Sequence, residues 1–69
     1  MTLAQIVRHA RADARHYRRT FYIYQGEFGW LHTEKRLPEH TYRVRANGEL
    51  QHVTGHDGRK TYYRGVRGL

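Results

Sequence analysis

The sequence predicts an α+β fold in which one N-terminal amphipathic helix packs across an antiparallel meander of four to five strands. Apolar residues recur at helical spacing near the N-terminus, and after Arg19 the period changes to two with β-branched and aromatic residues. Asn47-Gly48 and Asp57-Gly58 then mark tight turns between short strands. Because 69 residues leave room for only one small core, we expect residues 1–69 to form a single small basic domain.

The N-terminal segment has a start signal and two distinct sides. Thr2 and Gln5 have the form of a capping box, so we predict a helix from about Leu3 to Arg18. Its apolar residues fall on one side, which packs against the sheet: Leu3, Ile6, Val7, Ala10, Ala14 and Tyr17. The adjacent side carries what we call the arginine stripe: Arg8, Arg11, Arg15, Arg18 and Arg19.

Two aromatic-rich runs, residues 20–24 and 28–32, predict a first hairpin. A two-residue loop of Gly26 and Glu27 suits this hairpin because glycine accepts the first position of a tight turn. One face would then carry Phe21, Ile23, Trp30 and His32, and the other Tyr22, Tyr24 and Leu31. Residues 33–39, which include the only proline, are expected to be a polar connection.

A second hairpin is predicted around Ala46-Asn47-Gly48, and two registers compete. A two-residue loop would mix polar and apolar residues on both faces, whereas a three-residue loop ending in left-handed Gly48 pairs Val44 with Leu50. We therefore favour the three-residue loop. A third hairpin at residues 56–58 leads into a last strand at about residues 60–66. The helix side should carry Tyr42, Val44, Leu50, His52, Tyr62 and Val66, and the opposite side Arg43, Arg45, Gln51, Thr61 and Tyr63.

Composition directs attention to polyanions. The chain has 13 Lys and Arg against 6 Asp and Glu, a formal net charge of +7, and all but two of the cations are Arg. Such an imbalance indicates nucleic acid, an anionic membrane or an acidic protein surface, and Arg binds phosphate bidentately. The simpler alternative is that the charge only maintains solubility. Without a continuous apolar stretch at the N-terminus, we expect a cytoplasmic protein with no membrane association.

Two surfaces are candidate binding sites for nucleic acid or a partner. On the sheet face away from the helix, tyrosine rings that stack on bases would lie among arginines that neutralise phosphates: Tyr22, Tyr24, Arg43, Arg45 and Tyr63. The arginine stripe is the second surface. Alternatively, the tyrosines are ordinary half-exposed strand residues and the stripe is a solvated helix face.

Nothing in the sequence identifies catalytic, metal-binding or cofactor-binding residues. The chain has no Cys, so neither disulfides nor thiolate metal sites are available. A zinc site would need three or four converging His or carboxylate ligands from among six His, and His52 is expected to point into the core. We therefore predict no metal, no cofactor and no enzymatic activity.

The leading hypothesis is a small nucleic-acid-binding module, with single-stranded DNA or RNA as ligand. A second hypothesis is an interaction or inhibitor protein of the kind that phages and mobile elements encode, which would dock on an acidic protein surface or a nucleoprotein complex. A third is a metal-free ribonuclease toxin, in which a His near an Arg would cleave RNA through the 2′-hydroxyl. The oligomeric state is left open by the sequence.

Overall fold

A computed structural model describes residues 1–69 and confirms the α+β fold class. One helix, α1, spans Leu3–Tyr17 and packs on one face of a five-stranded antiparallel sheet. The strands are β1 (Phe21–Gly26), β2 (Gly29–Thr33), β3 (Tyr42–Val44), β4 (Leu50–Asp57) and β5 (Lys60–Gly65).

Helix α1 begins and ends with capping interactions that its sequence encodes. The Thr2 hydroxyl accepts a hydrogen bond from the backbone N–H of Gln5, and the Gln5 side chain accepts one from the backbone N–H of Thr2. Arg18 ends the helix in the left-handed conformation, with φ 55° and ψ 45°. Arg18 is therefore the C-terminal cap rather than a residue of the last turn.

The strand order is β2-β1-β3-β4-β5, which differs from a simple meander because β1, and not β2, pairs with β3. Phe21 and Ile23 of β1 are both buried, whereas Leu31 of β2 is 48% exposed. A central strand is covered on both edges and over its faces, so the more apolar β1 takes the central place and β2 becomes an edge strand.

The β1–β2 hairpin turns one residue later than predicted. Its loop consists of Glu27 and Phe28, so that Gln25 pairs with Trp30 and Ile23 with His32. The glycine that takes a positive φ (128°) is Gly29, just after the loop. This register differs from the predicted one by two residues, an even number, so the predicted face of every side chain in the hairpin is retained.

The β3–β4 turn follows the prediction, whereas the β4–β5 turn lies later in the chain than predicted. Val44 pairs with Leu50, the backbone N–H of Arg45 donates to the Glu49 carbonyl at 2.9 Å, and Gly48 has φ 91°. This is the three-residue loop that the apolar pattern favours. In the last hairpin Asp57 pairs with Lys60, so the loop is Gly58-Arg59 and not residues 56–58 as predicted. His56 and Asp57 are the last residues of β4, and an irregularity between Val53 and Gly55 interrupts the β4–β5 register.

The core lies between α1 and strands β1 to β4. The four largest fully buried side chains each stabilise the fold by about 1.5–3 kcal/mol relative to an exposed position: Val7, Ile23, Val44 and Leu50. Trp30, Tyr42 and Val66 pack at the border of the core, and Trp30 is partly buried.

The prediction that Tyr62 packs on the helix side of the sheet needs correction. α1 packs on β1, β2 and β3, and Tyr62 on the distant β5 is 45% exposed.

Helix α1 has neither the length nor the apolar character that crossing a membrane requires.

Candidate functional site

A long loop crosses the sheet face opposite to α1, which we call the outer face. Strands β2 and β3 lie on the two sides of β1, and both are antiparallel to it. The β2–β3 connection, residues 34–41, must therefore pass over β1, and α1 already occupies the other face. Contacts of Arg36 and His40 with β5 show that the loop reaches across the outer face before it enters β3.

His40 fixes this loop to the sheet and is the buried polar residue of the fold, with 3% of its surface exposed. Its Nδ1 is hydrogen-bonded to the Leu37 carbonyl, and its Nε2 lies 2.8 Å from the Tyr63 hydroxyl. Since a carbonyl only accepts, Nδ1 carries the proton of the neutral ring and Nε2 accepts from Tyr63. The ring also contacts Tyr22 edge-on, with centroids 5.0 Å apart.

The electrostatic surroundings of His40 favour its neutral form. Burial lowers the pKa of His40 below its ordinary value, and the hydrogen bond to Leu37 partly opposes this effect. The positive charges of Arg36, His56 and Arg43 lower the pKa further. The outer face near His40 is therefore a region of positive potential.

Arg43 and Tyr63, two of the predicted site residues, bind each other. The guanidinium carbon of Arg43 lies 3.6 Å from the centroid of the Tyr63 ring, a cation–π contact. Arg43 Nε also donates to the Gln51 side chain at 2.7 Å. One face of the Tyr63 ring is thus already covered, and among the predicted tyrosines only Tyr24 contacts no other aromatic ring.

Members of the arginine stripe differ in what they contact. Arg11 Nε donates to the Gly48 carbonyl at 2.9 Å, and its Nη1 donates to the backbone oxygen of Leu69. The Arg15 guanidinium lies over Gly48, where a Cβ would come within 2.5 to 2.8 Å of its atoms. These two arginines connect α1 to the β3–β4 turn. Arg8 is exposed and makes no side-chain hydrogen bond within the molecule.

Arg19 and Arg45 lie at the ends of their elements. Arg19 Nη1 forms an ion pair with Glu34 at 2.8 Å, and this hydrogen bond raises the pKa of the Arg19 guanidinium above its ordinary value. Arg45 follows the last residue of β3 and lines a shallow depression with Thr20 and Glu49. The structure therefore distributes the predicted cations around the sheet rather than gathering them at one point.

A cleft that contains none of the predicted site residues opens between the β2–β3 loop and the β4–β5 hairpin. This loop cleft has a volume of about 380 Å³ and is lined by Arg36, Leu37, Pro38, His40, His56, Gly58 and Thr61. Arg36 Nη2 donates to the Thr61 hydroxyl oxygen at 2.8 Å, and His56 Nδ1 lies 3.1 Å from the same oxygen. One sequence signal could have indicated it: the apolar Leu37-Pro38 pair within a polar connection.

Other histidines have structural contacts. His32 Nε2 lies 2.8 Å from an Asp13 carboxylate oxygen, which joins β2 to α1, and His52 packs edge-on against Tyr42 with centroids 4.7 Å apart. No group of three or more His, Asp or Glu side chains is arranged to hold a metal ion.

Comparison with known proteins finds no relative: no protein-family model, no curated protein and no solved structure matches this chain.

Proposed function

We propose that the protein is a nucleic-acid-binding module that takes single-stranded DNA or RNA on its outer face and its arginine stripe. One observation carries this proposal. Of the 13 Lys and Arg side chains, only Arg19 forms an ion pair with a carboxylate side chain. The positive charge is therefore not neutralised within the fold, and a polyanion that replaces many counterions at once would gain free energy from their release.

The side chains of the outer face favour nucleic acid over other polyanions. Tyr22 and Tyr24 are half-buried on this face, and a tyrosine ring contributes about 1–3 kcal/mol when a base stacks on it. The Arg43 guanidinium has five N–H groups in a fixed fork, and Gln51 accepts from only part of them. A sheet face that carries rings and guanidinium groups suits an unpaired strand, whose bases are free to stack.

Binding of labelled oligonucleotides, followed by fluorescence anisotropy, tests the proposal. We expect dissociation constants below about 100 μM at physiological salt, the weaker limit of non-specific binding, with single strands bound more tightly than duplexes. The logarithm of the association constant should fall linearly with the logarithm of the salt concentration. Binding no tighter than that limit for any single strand would contradict the proposal.

A second candidate function, an inhibitor or interaction protein that docks on an acidic or nucleoprotein partner, is favoured by a different observation. Phe28 at the tip of the β1–β2 hairpin is 96% exposed, and Leu31 on the neighbouring edge strand is 48% exposed. A protein partner would bury both. A pull-down from host lysate, with and without nuclease, separates the candidates: one stoichiometric protein retained after nuclease treatment favours the inhibitor.

Binding rather than RNA cleavage is proposed because the loop cleft offers too few free acid–base groups. Both ring nitrogens of His40 are hydrogen-bonded within the fold, so of the two histidines that line the cleft only His56 has a free ring nitrogen. Cleavage through the 2′-hydroxyl needs one group to remove a proton and another to supply one. Incubation with RNA in the presence of a chelator tests this directly, and we expect the RNA to remain intact.

A cytoplasmic location also belongs to the proposal.

A further inference from the structure

The loop cleft combines donors and positive charge at one place. Arg36 donates one of its five N–H groups to Thr61 and makes no other side-chain hydrogen bond, so the remaining N–H groups are free to bind a ligand. His56 shares the same Thr61 hydroxyl and keeps its second ring nitrogen free. Two side chains, one from the β2–β3 loop and one from β4, are thus held around the hydroxyl oxygen of Thr61 on β5.

The size and charge of the cleft restrict the ligand. A volume of about 380 Å³ is at the small end of the range for ligand sites, and the cleft is open to solvent on one side, so it suits one chemical group of a longer molecule. No carboxylate lines it, although Asp57 is adjacent in sequence to His56 and Gly58. Arg36 and His56 both lower the pKa of His40, which indicates positive potential inside the cleft.

We propose that the loop cleft binds a phosphate group of a nucleic-acid strand, with Arg36, Thr61 and His56 as its contacts. That this phosphate belongs to a nucleic-acid strand rests on the proposed function. A phosphate has oxygens in several directions, and it can accept from the Arg36 guanidinium and from one donor of the Thr61–His56 pair at once. If His56 Nδ1 donates to Thr61, the hydroxyl proton is free for the phosphate, and if Thr61 donates to Nδ1, the second ring nitrogen of His56 carries the donor. The cleft lies on the outer face, beyond the His40–Tyr63 hydrogen bond, so a strand that stacks on Tyr22 or Tyr24 would reach it by crossing that face.

The first test is an NMR titration of ¹⁵N-labelled protein with inorganic phosphate, against sodium chloride at matched ionic strength. We expect the amide shifts to concentrate in residues 36–40 and 56–61, because only these segments line the cleft. Shifts concentrated elsewhere, or spread evenly over the basic surface, would overturn the proposal whether or not oligonucleotides bind.

The second test compares two arginine variants of equal charge. Arg36→Gln removes a cleft contact, and Arg67→Gln removes an exposed guanidinium that makes no side-chain hydrogen bond. We expect Arg36→Gln to weaken phosphate and oligonucleotide binding about 10-fold, as loss of a charge-assisted hydrogen bond does, and Arg67→Gln to weaken them at most about 2-fold. Equal losses would overturn the proposal and leave nucleic-acid binding intact.

A third variant, Thr61→Val, leaves the net charge of the chain unchanged and tests whether a loss of binding comes from a loss of folding. Thr61→Val removes only the hydroxyl that joins Arg36 to His56, and it suits a strand position because valine is β-branched. Its phosphate affinity should fall in the same direction as that of Arg36→Gln, with thermal unfolding recorded for each variant. Unchanged phosphate affinity in folded Thr61→Val would overturn the assigned role of the hydroxyl.

Oligonucleotides with and without a 5′-phosphate identify the source of the group. Tighter binding of the phosphorylated strand, lost in Arg36→Gln, assigns the cleft to a terminal phosphate, whereas equal binding with the same loss assigns it to a backbone phosphodiester. If phosphate shifts the cleft residues but no oligonucleotide binds, the cleft stands as a phosphate site and the nucleic-acid function fails.

Discussion

His40 makes the stability of the fold depend on pH. Its pKa is lowered in the folded state, mainly by burial, so the unfolded chain binds a proton at this position more readily. The stability that this pKa difference contributes is therefore complete above the pKa of the unfolded chain, about 6.5, and it is lost as pH falls through the lower pKa of the folded state. Urea unfolding between pH 8 and pH 5 should show stability falling with acidity, and His40→Gln should show a smaller fall. An equal fall in both proteins would contradict this assignment.

Replacement of Gly48 by another residue should destabilise the fold. The φ of Gly48, 91°, lies outside the small left-handed region open to other residues, and the Arg15 guanidinium covers this glycine. Gly48→Ala should therefore destabilise by roughly 1 kcal/mol or more and displace Arg15. Gly58→Ala is the matched control because Gly58 has φ 60° and open space around it. Thermal unfolding compares the stabilities of the two variants. An equal loss of stability would show that an alanine is no more strained at position 48 than at position 58.

At the scale of the elements, the arginine stripe should separate into binding and structural positions. Arg8→Gln should reduce the slope of log K against log salt by about 0.7–0.9 without loss of stability, because one phosphate contact is removed. Arg11→Gln should also destabilise, by about 1.5–3 kcal/mol, since its hydrogen bond to the Gly48 carbonyl joins α1 to the β3–β4 turn. Anisotropy and urea unfolding measure the two effects. Equal stabilities of the two variants would contradict this division.

Strand β1 allows stacking to be separated from charge. Tyr24→Ala should weaken binding of single strands by about 1–3 kcal/mol and leave the salt slope unchanged, because stacking releases no counterions. Tyr24 is the best position for this test since its ring contacts no other aromatic ring, whereas Tyr22 contacts His40. If Tyr24→Ala lowered the salt slope and left the affinity for single strands unchanged, this would count against a base stacked on Tyr24.

Local signals explain which elements the sequence predicts correctly. The capping box at Thr2 and the three-residue loop at Gly48 depend on neighbouring residues, and both are confirmed. The strand order depends on which hairpin strand buries more apolar surface against the rest of the molecule, and no local pattern records that comparison. The loop cleft depends in turn on the strand order, because it exists only where the β2–β3 loop crosses the sheet. Its residues could therefore not be grouped from sequence alone.

For the whole molecule, the scarcity of ion pairs predicts an unusual response to salt. A net charge of +7 with one Arg–carboxylate pair means that repulsion between cations outweighs attraction in the folded chain. Salt screens this repulsion, with a Debye length of about 10 Å at 0.1 M and about 3 Å at 1 M. The melting temperature should therefore rise between 0.02 and 0.5 M sodium chloride. A fall over that range would show that the cations are compensated in ways that ion pairs do not reveal.

The crossing loop has a kinetic consequence. The β1–β2 hairpin and the β3–β4–β5 hairpins join residues that are close in sequence, so each can form early and independently. Pairing of β1 with β3 joins residues 21–23 to residues 42–44, and it must wait until a longer loop closes. Only that late event carries residues 34–41 over the sheet and brings Arg36 to Thr61. A chain in the process of refolding would then have its secondary structure before it has its phosphate site, and the gain of phosphate binding would follow the gain of circular dichroism in time.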